Sequence, residues 1–169
     1  MTTLQPLYNA SSNLTLTALG ALASDTNLLA GWQSDVFDNT TELADEVFIS
    51  GFFATGASGL TAGRTIELWA YGSLDDAGTY PAGLTAAGQA LKTLASIEVK
   101  FAGALARIAT ITTNATGGIV YPFQTLLGQN GFGFVPRKYG LWAVQNTGNT
   151  LAAAASMQIT RTPLKFTNT

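Results

Sequence analysis

Short runs of β-branched and aromatic residues, broken at close intervals by Gly, Asn, Asp and Pro, recur along the whole chain. This rhythm narrows the available folds more than any other feature, because helices long enough to bury a core need sustained 3.6-residue periodicity, which is missing here. The clearest runs are residues 46–54 (EVFISGFFA), 64–71 (RTIELWAY) and 139–146 (YGLWAVQN). Further runs at 13–17, 96–101, 107–113, 119–123 and 155–162 bring the expected total to about eight strands. Between them lie turn-forming stretches: GASGLTAG at 56–63, LDDAG at 74–78, NATGG at 114–118, GQNGFG at 128–133 and NTGN at 146–149. Such spacing predicts an all-β, antiparallel sandwich rather than alternating βα units. Helix is expected at most as one short piece over 84–94 (LTAAGQALKTL), where Gly88 intrudes. Residues 1–12 show no pattern of their own and read as an extended N-terminal arm, leaving 13–169 as a single domain.

Composition removes most catalytic chemistry. The chain has no Cys and no His, so disulfides, thiol nucleophiles, His-based triads and His/Cys zinc sites are excluded. What remains is chemistry built on clustered carboxylates or lysines, yet only 11% of residues are charged. With 47% hydrophobic residues, the surface must be covered by Thr, Asn, Ser, Gln, Gly and Ala, which favours burial of part of it in an assembly. Eight Lys and Arg against ten Asp and Glu, with no basic stripe, argue against nucleic acid as a partner. No apolar run approaches the ~18 residues of a membrane helix, so no membrane partner is expected. The run 14–23 (LTLTALGALA) lacks a positive flank, since the first basic residue is Arg64, and Leu/Thr alternation makes it a strand rather than a leader.

Two constellations bear on chemistry. In 64–71 the alternation sends Ile66, Leu68 and Ala70 to one face and Glu67, Trp69 and Tyr71 to the other. A carboxylate beside two rings suits sugar stacking, but the plainer expectation is that a loop or neighbouring subunit covers the rings. Asp75 and Asp76 are adjacent and cannot span the separation that glycoside hydrolysis demands of two carboxyls, nor do they supply a calcium loop. They read as a solvated turn. Asp35, Asp38, Glu42, Asp45 and Glu46 form the other acidic stretch, read as a solvated face with a weak divalent-cation site as the rival. No catalytic residue, metal or cofactor is assigned. The expected partner contacts rest on apolar residues judged exposed: Leu4, Leu7 and Tyr8 of the arm, Trp32, and Phe132 and Phe134 on the Gly-rich loop.

Three motifs carry a family resemblance. Trp69, Tyr71, Gly72 and Ser73 precede an acidic turn and Thr79-Tyr80-Pro81; Tyr121-Pro122-Phe123 follows; then Pro136-Arg137, Tyr139 and Gly140-Leu141-Trp142, closing with an Asn-Thr-Gly turn and a last strand. Over about residues 45 to 166 the chain thereby resembles small virion proteins of tailed bacteriophages. The resemblance implies a jelly-roll-like β-sandwich that decorates or cements the capsid, with the major capsid protein and copies of itself as partners, on the capsid surface of a virion assembled in the host cytoplasm. It supplies no active site. The alternative it leaves open is a tail-fibre or receptor-binding module that recognises a cell-surface glycan.

Overall fold

Period-two alternation resolves into strands wherever one face of a run can be buried. The computed structural model describes residues 4–168 apart from 74, 76, 87, 102 and 104, and the side chains of 4, 21 and 168 lie outside that description. The strands are β1 (Leu4–Tyr8), β2 (Ser12–Asn13), β3 (Ala30–Gln33), β4 (Phe37–Asp38), β5 (Glu46–Ala54), β6 (Thr65–Gly72), β7 (Ala90–Thr93), β8 (Leu105–Thr112), β9 (Val120–Leu126), β10 (Lys138–Gln145) and β11 (Gln158–Asn168). Two short helices, α1 (Asn39–Glu42) and α2 (Ile97–Phe101), sit in the connections.

The strands form two antiparallel sheets. The first runs β1-β11-β5-β9, with β2 also on β11; the second runs β7-β3-β10-β6-β8, with β4 also on β10. The order follows a nested rule. Strand β6 pairs with β8, β5 with β9, β3 with β10 and β1 with β11. The chain thus goes out in four strands and comes back along them in reverse. Rolling that ribbon brings β11 against β5 and β10 against β6, which closes the pairs into two sheets.

The main core lies between the sheets. Val47, Ile49 and Phe53 from β5 meet Ile66, Leu68 and Ala70 from β6, with Trp32, Leu141 and Ile159 completing the layer. Large side chains buried in this way contribute about 1.5–3 kcal/mol each. A second, smaller core sits on the opposite face of β6 and β10, where Trp69, Tyr71, Trp142 and Val144 pack with Leu84, Leu94 and Leu105. The segment 80–101 folds over this face, so the second sheet is covered on both sides by its own chain. Two glycines make that packing possible. Gly140 stands directly opposite Tyr71, and a Cβ there would lie 2.4 Å from the Tyr71 ring; at Gly31 it would lie 2.5 Å from Trp142 Nε1. Gly140→Ala is therefore expected to cost about 1–3 kcal/mol by overpacking, read as a lowered urea midpoint with an unchanged slope.

Three expectations are corrected here. Residues 96–101 contain helix α2 rather than a strand, and the 84–94 segment holds strand β7, paired to β3, in place of a helix. In 13–17 only Asn13 belongs to a strand; Leu14 still donates its N–H to Ile159 O at 2.8 Å, after which Leu16 and Leu19 drop into the core. Within the N-terminal segment, Leu4–Tyr8 lies along β11 as an edge strand.

Candidate interaction surfaces

Glu67, Trp69 and Tyr71 share the outward face of β6, but segment 80–101 removes them from solvent. Glu67 is 7% exposed. Its Oε2 accepts from Trp69 Nε1 at 2.9 Å and Lys100 Nζ at 3.1 Å, and Oε1 accepts from Arg107 at 3.5 Å. Lys100, 2% exposed, lies over the rings of Trp69 at 4.8 Å and Trp142 at 5.4 Å. Burial pushes the Lys100 ammonium down from its ordinary value, with Glu67 opposing. Burial likewise drives the Tyr71 hydroxyl well above the usual phenol range. A carboxylate whose oxygens are both engaged beneath a covering segment anchors that segment, and no sugar ring reaches these rings.

The remaining acidic residues are distributed among separate structural tasks. Asp75 accepts from Thr79 N at 2.9 Å and Thr79 Oγ1 at 2.6 Å, closing its turn, while Asp76 lies outside the described residues. Asp38 caps α1 through Thr40 N at 2.8 Å; Glu42 binds Arg161; Asp45 accepts from Phe166 N; Asp35 accepts from Gln89 N. Among the described residues no group of three potential ligands converges on a metal position. A cleft of about 190 Å³ brings Asp38 and Asp75 near Arg137 and Lys138, but both carboxylates are already committed to their threonines.

These commitments make stability fall in acid. Hydrogen bonds from Thr79 and from Thr40 hold the carboxyls of Asp75 and Asp38 below their ordinary value of 3.8. At Asp25 partial burial pushes up, but N–H groups of Ala30, Asn27 and Leu29 outweigh it and the value is again lowered. A carboxyl whose folded value lies below its unfolded one stabilises the fold fully above the unfolded value and loses that contribution as pH drops through the folded value. Urea unfolding is thus expected to show a flat midpoint above about pH 5 and a declining one below about pH 4. Asp25→Asn should flatten the decline; an unchanged pH profile would reject the assignment.

The expected contact residues divide. Trp32 is fully buried in the main core, with its Nε1 donating to Gln89 at 3.2 Å. It is therefore no partner contact, because AGWQ forms an inner strand between β10 and β7 rather than an exposed loop. Phe132 folds back against the core, whereas Phe134 beside it is 63% exposed. Phe132 ends a wide helical turn, Gly128–Phe132, and Phe134 follows it; the turn's amides at 128 and 129 donate to Glu46 at 2.5 and 2.8 Å. Leu7 and Tyr8 are 52% and 65% exposed; Leu4 pairs with Asn168, its side chain outside the described residues.

Two apolar surfaces result, the first carrying the anticipated Leu7 and Tyr8 and the second missed by the sequence reading. Strand β5 stops at Glu46, opposite Leu164, so β1 and the last residues of β11 continue as a two-stranded ribbon beyond the sandwich. Leu7, Tyr8 and Phe166 project from it, and exposed Leu43 lies close by, where Asp45 N donates to Leu164 O. The other surface is the outward face of the first sheet, carrying Phe48 and Phe52 of β5 and, directly opposite them, Leu126 and Pro122 of β9. The available signal was that EVFISGFFA carries Phe48 and Phe52 on one phase and Val47, Ile49 and Phe53 on the other, so large apolar side chains leave both faces of the strand.

The class defined by these features is a two-sheet antiparallel β-sandwich with the outer face of its second sheet covered by its own chain. Compared with known proteins, the chain matches no family model, no curated protein and no solved structure.

Proposed function

We propose that this chain is a non-enzymatic structural protein of a phage virion, a capsid decoration or cement protein that binds and stabilises the lattice of the major capsid protein. The observation that carries the reading is the terminal ribbon. A two-stranded ribbon is marginal by itself in water, and this one leaves Leu7, Tyr8 and Phe166 exposed and outside both cores. Rigid body and apolar projection together suit a protein that acts by seating itself on a repeating surface. Because every contact repeats around a closed shell, modest affinity at one site becomes large collective stabilisation.

Two further points support it. Four nested antiparallel pairs rolled into two sheets support a jelly-roll reading of the sandwich, an architecture frequent in viral capsid domains. The motifs that carry the phage resemblance fall on β6 and its following turn, on β9 and on β10. The glycan-binding alternative relied on Glu67, Trp69 and Tyr71, all of which are buried.

Capsids lacking the protein provide the test. Full-length chain should co-sediment saturably at a stoichiometry set by the lattice, and a chain truncated at residue 8 should lose at least about tenfold in affinity, roughly 1.4 kcal/mol. Capsids that ignore the full-length chain, with host cells retaining it instead, would replace this reading with the fibre-tip one.

A further inference from the structure

Proline is disfavoured inside a strand, yet three of the five prolines lie in one: Pro6 in β1, Pro122 in β9 and Pro163 in β11. The first two belong to the outermost strands of the first sheet, whose order is β1-β11-β5-β9. What matters is the side on which the missing N–H falls, because successive residues of an antiparallel strand turn their backbone groups to opposite neighbours.

The ladder fixes that side for both. Asn9 N donates to Pro163 O at 2.9 Å, and in the continuing register Leu7 faces Lys165 and Gln5 faces Thr167, so these three residues turn their backbone groups toward β11. Leu4, Pro6 and Tyr8 therefore turn theirs away. A second bond agrees: Phe166, opposite Pro6, donates its N–H to Asp45 Oδ2, and Asp45 leads into β5 on the other side of β11. In β9 the count starts from Ile119, whose O accepts from Thr55 N at 3.1 Å; Tyr121, Phe123 and Thr125 follow it in facing β5, while Val120, Pro122, Gln124 and Leu126 face outward. Ala54, opposite Val120, correspondingly gives its O to Ala152 N at 2.9 Å.

Both prolines thus stand on free edges, each ring placed where an incoming strand would need a donor, and both are exposed. We propose that Pro6 and Pro122 are edge guards that stop a second copy of the chain from extending the first sheet by strand addition. Pro6 is the middle one of the outward-facing residues of β1, so no register of an added strand avoids it; beyond Pro122 only Gln124 and Leu126 face outward in succession. The need is specific to this sheet. Strands β1 (LQPLY) and β9 (VYPFQTL) contain no charged residue, whereas the outermost strands of the second sheet, β7 and β8, carry Lys92 and Arg107. Uncharged, β-prone segments on an open edge pair with their own kind, and a second copy is the one occupant present wherever the edge itself is. A net charge of −2 adds little repulsion. The inference does not depend on the capsid reading, since it concerns the purified chain and leaves the faces of the terminal ribbon available.

Light scattering and amide exchange on full-length variants between about 1 and 100 μM test this. Valine restores the N–H and suits a strand. Pro6→Val and Pro122→Val each open one edge and should at least double the mass of the parent at the highest concentration, by twofold edge pairing that closes on itself. With both substitutions together, open-ended species should form whose mass keeps rising with concentration. Circular dichroism and melting temperature should be retained, and in the associated variants the outward-facing amides, Tyr8 for Pro6→Val and Gln124 for Pro122→Val, should exchange at least about tenfold more slowly than in the parent. Leu7→Val, at a position whose N–H already faces β11, should leave the mass unchanged. Should Pro122→Val misfold, Pro6→Val on the ribbon decides alone. A folded Pro6→Val with the parent's mass at every concentration overturns the proposal, as does association that leaves its Tyr8 amide no better protected.

Discussion

Glu67→Ala is expected to lower stability by about 3–5 kcal/mol, the range found when one partner of a buried ion pair is removed. Lys100 is then left 2% exposed between two indole rings without the carboxylate that pairs with it, and Trp69 Nε1 loses its acceptor. At roughly 2–4 °C per kcal/mol for a domain of this size, the melting temperature should fall by about 6–20 °C. The companion double variant separates charge from packing. Glu67→Gln with Lys100→Met retains volume and an acceptor for the indole, and removes both charges together; it is expected within about 1 kcal/mol of the parent. If the single substitution is as mild as the double, the pair is not the anchor of segment 80–101. Local hydrogen exchange supplies a second readout, since β7 and α2 should open before the main core when the anchor is lost.

Glu46→Ala is expected to be comparably severe, at about 3 kcal/mol or more. Three backbone amides, those of Val47, Gly128 and Gln129, donate to this carboxylate at 2.8, 2.5 and 2.8 Å. Unsatisfied buried donors cost about 1–3 kcal/mol each. Glu46→Gln, which keeps one oxygen acceptor, should recover part of the loss. The expected signature is local as well as global: the Gly133 amide, bonded to Gly128 O at 2.8 Å, should exchange faster relative to amides of β6 and β10. Equal acceleration everywhere would mean that Glu46 acts on the whole fold and not on the turn that presents Phe134.

How far the sequence disclosed this can be judged element by element. Residues 46–54 were expected as a strand and β5 has those bounds; β6, β8, β9 and β10 overlap their expected runs closely. In each, apolar residues at alternate positions leave one solution. Where the pattern fits two periods, tertiary packing decides. The run IEVKF alternates like a strand, yet as one helical turn it places Lys100 on Glu67 and the Phe101 ring 6.1 Å from Trp69. In LTAAGQALKTL the Ala-rich composition suggests helix, but β3 offers a free ladder edge and Ala90–Thr93 takes it. Pairing with a distant strand has no local signature.

The candidate site was less legible. That Trp69 and Tyr71 would be covered was anticipated from their strand; that Lys100 would be the buried cation was not, because nothing in the sequence links positions 33 apart. Trp32 was misjudged because AGWQ is too short to show alternation. Pro163 concealed the second half of β11, since proline normally ends a strand, yet here β11 continues to Asn168 and forms the ribbon. The exposed residues there, Phe166 above all, follow only from that continuation.

The nested pairing orders events in time. Strands β6 and β8 close the shortest loop, β5 and β9 the next, β3 and β10 a longer one, and β1 can meet β11 only across almost the entire chain. Loop closure grows costlier with length and distant contacts form late, so folding proceeds from the innermost pair outward. The ribbon is then the last element to assemble. Quick exchange of the β1 amides after refolding would mark that sequence, and its consequence is a built-in delay: the surface that meets other molecules comes into being only after the body that carries it is finished.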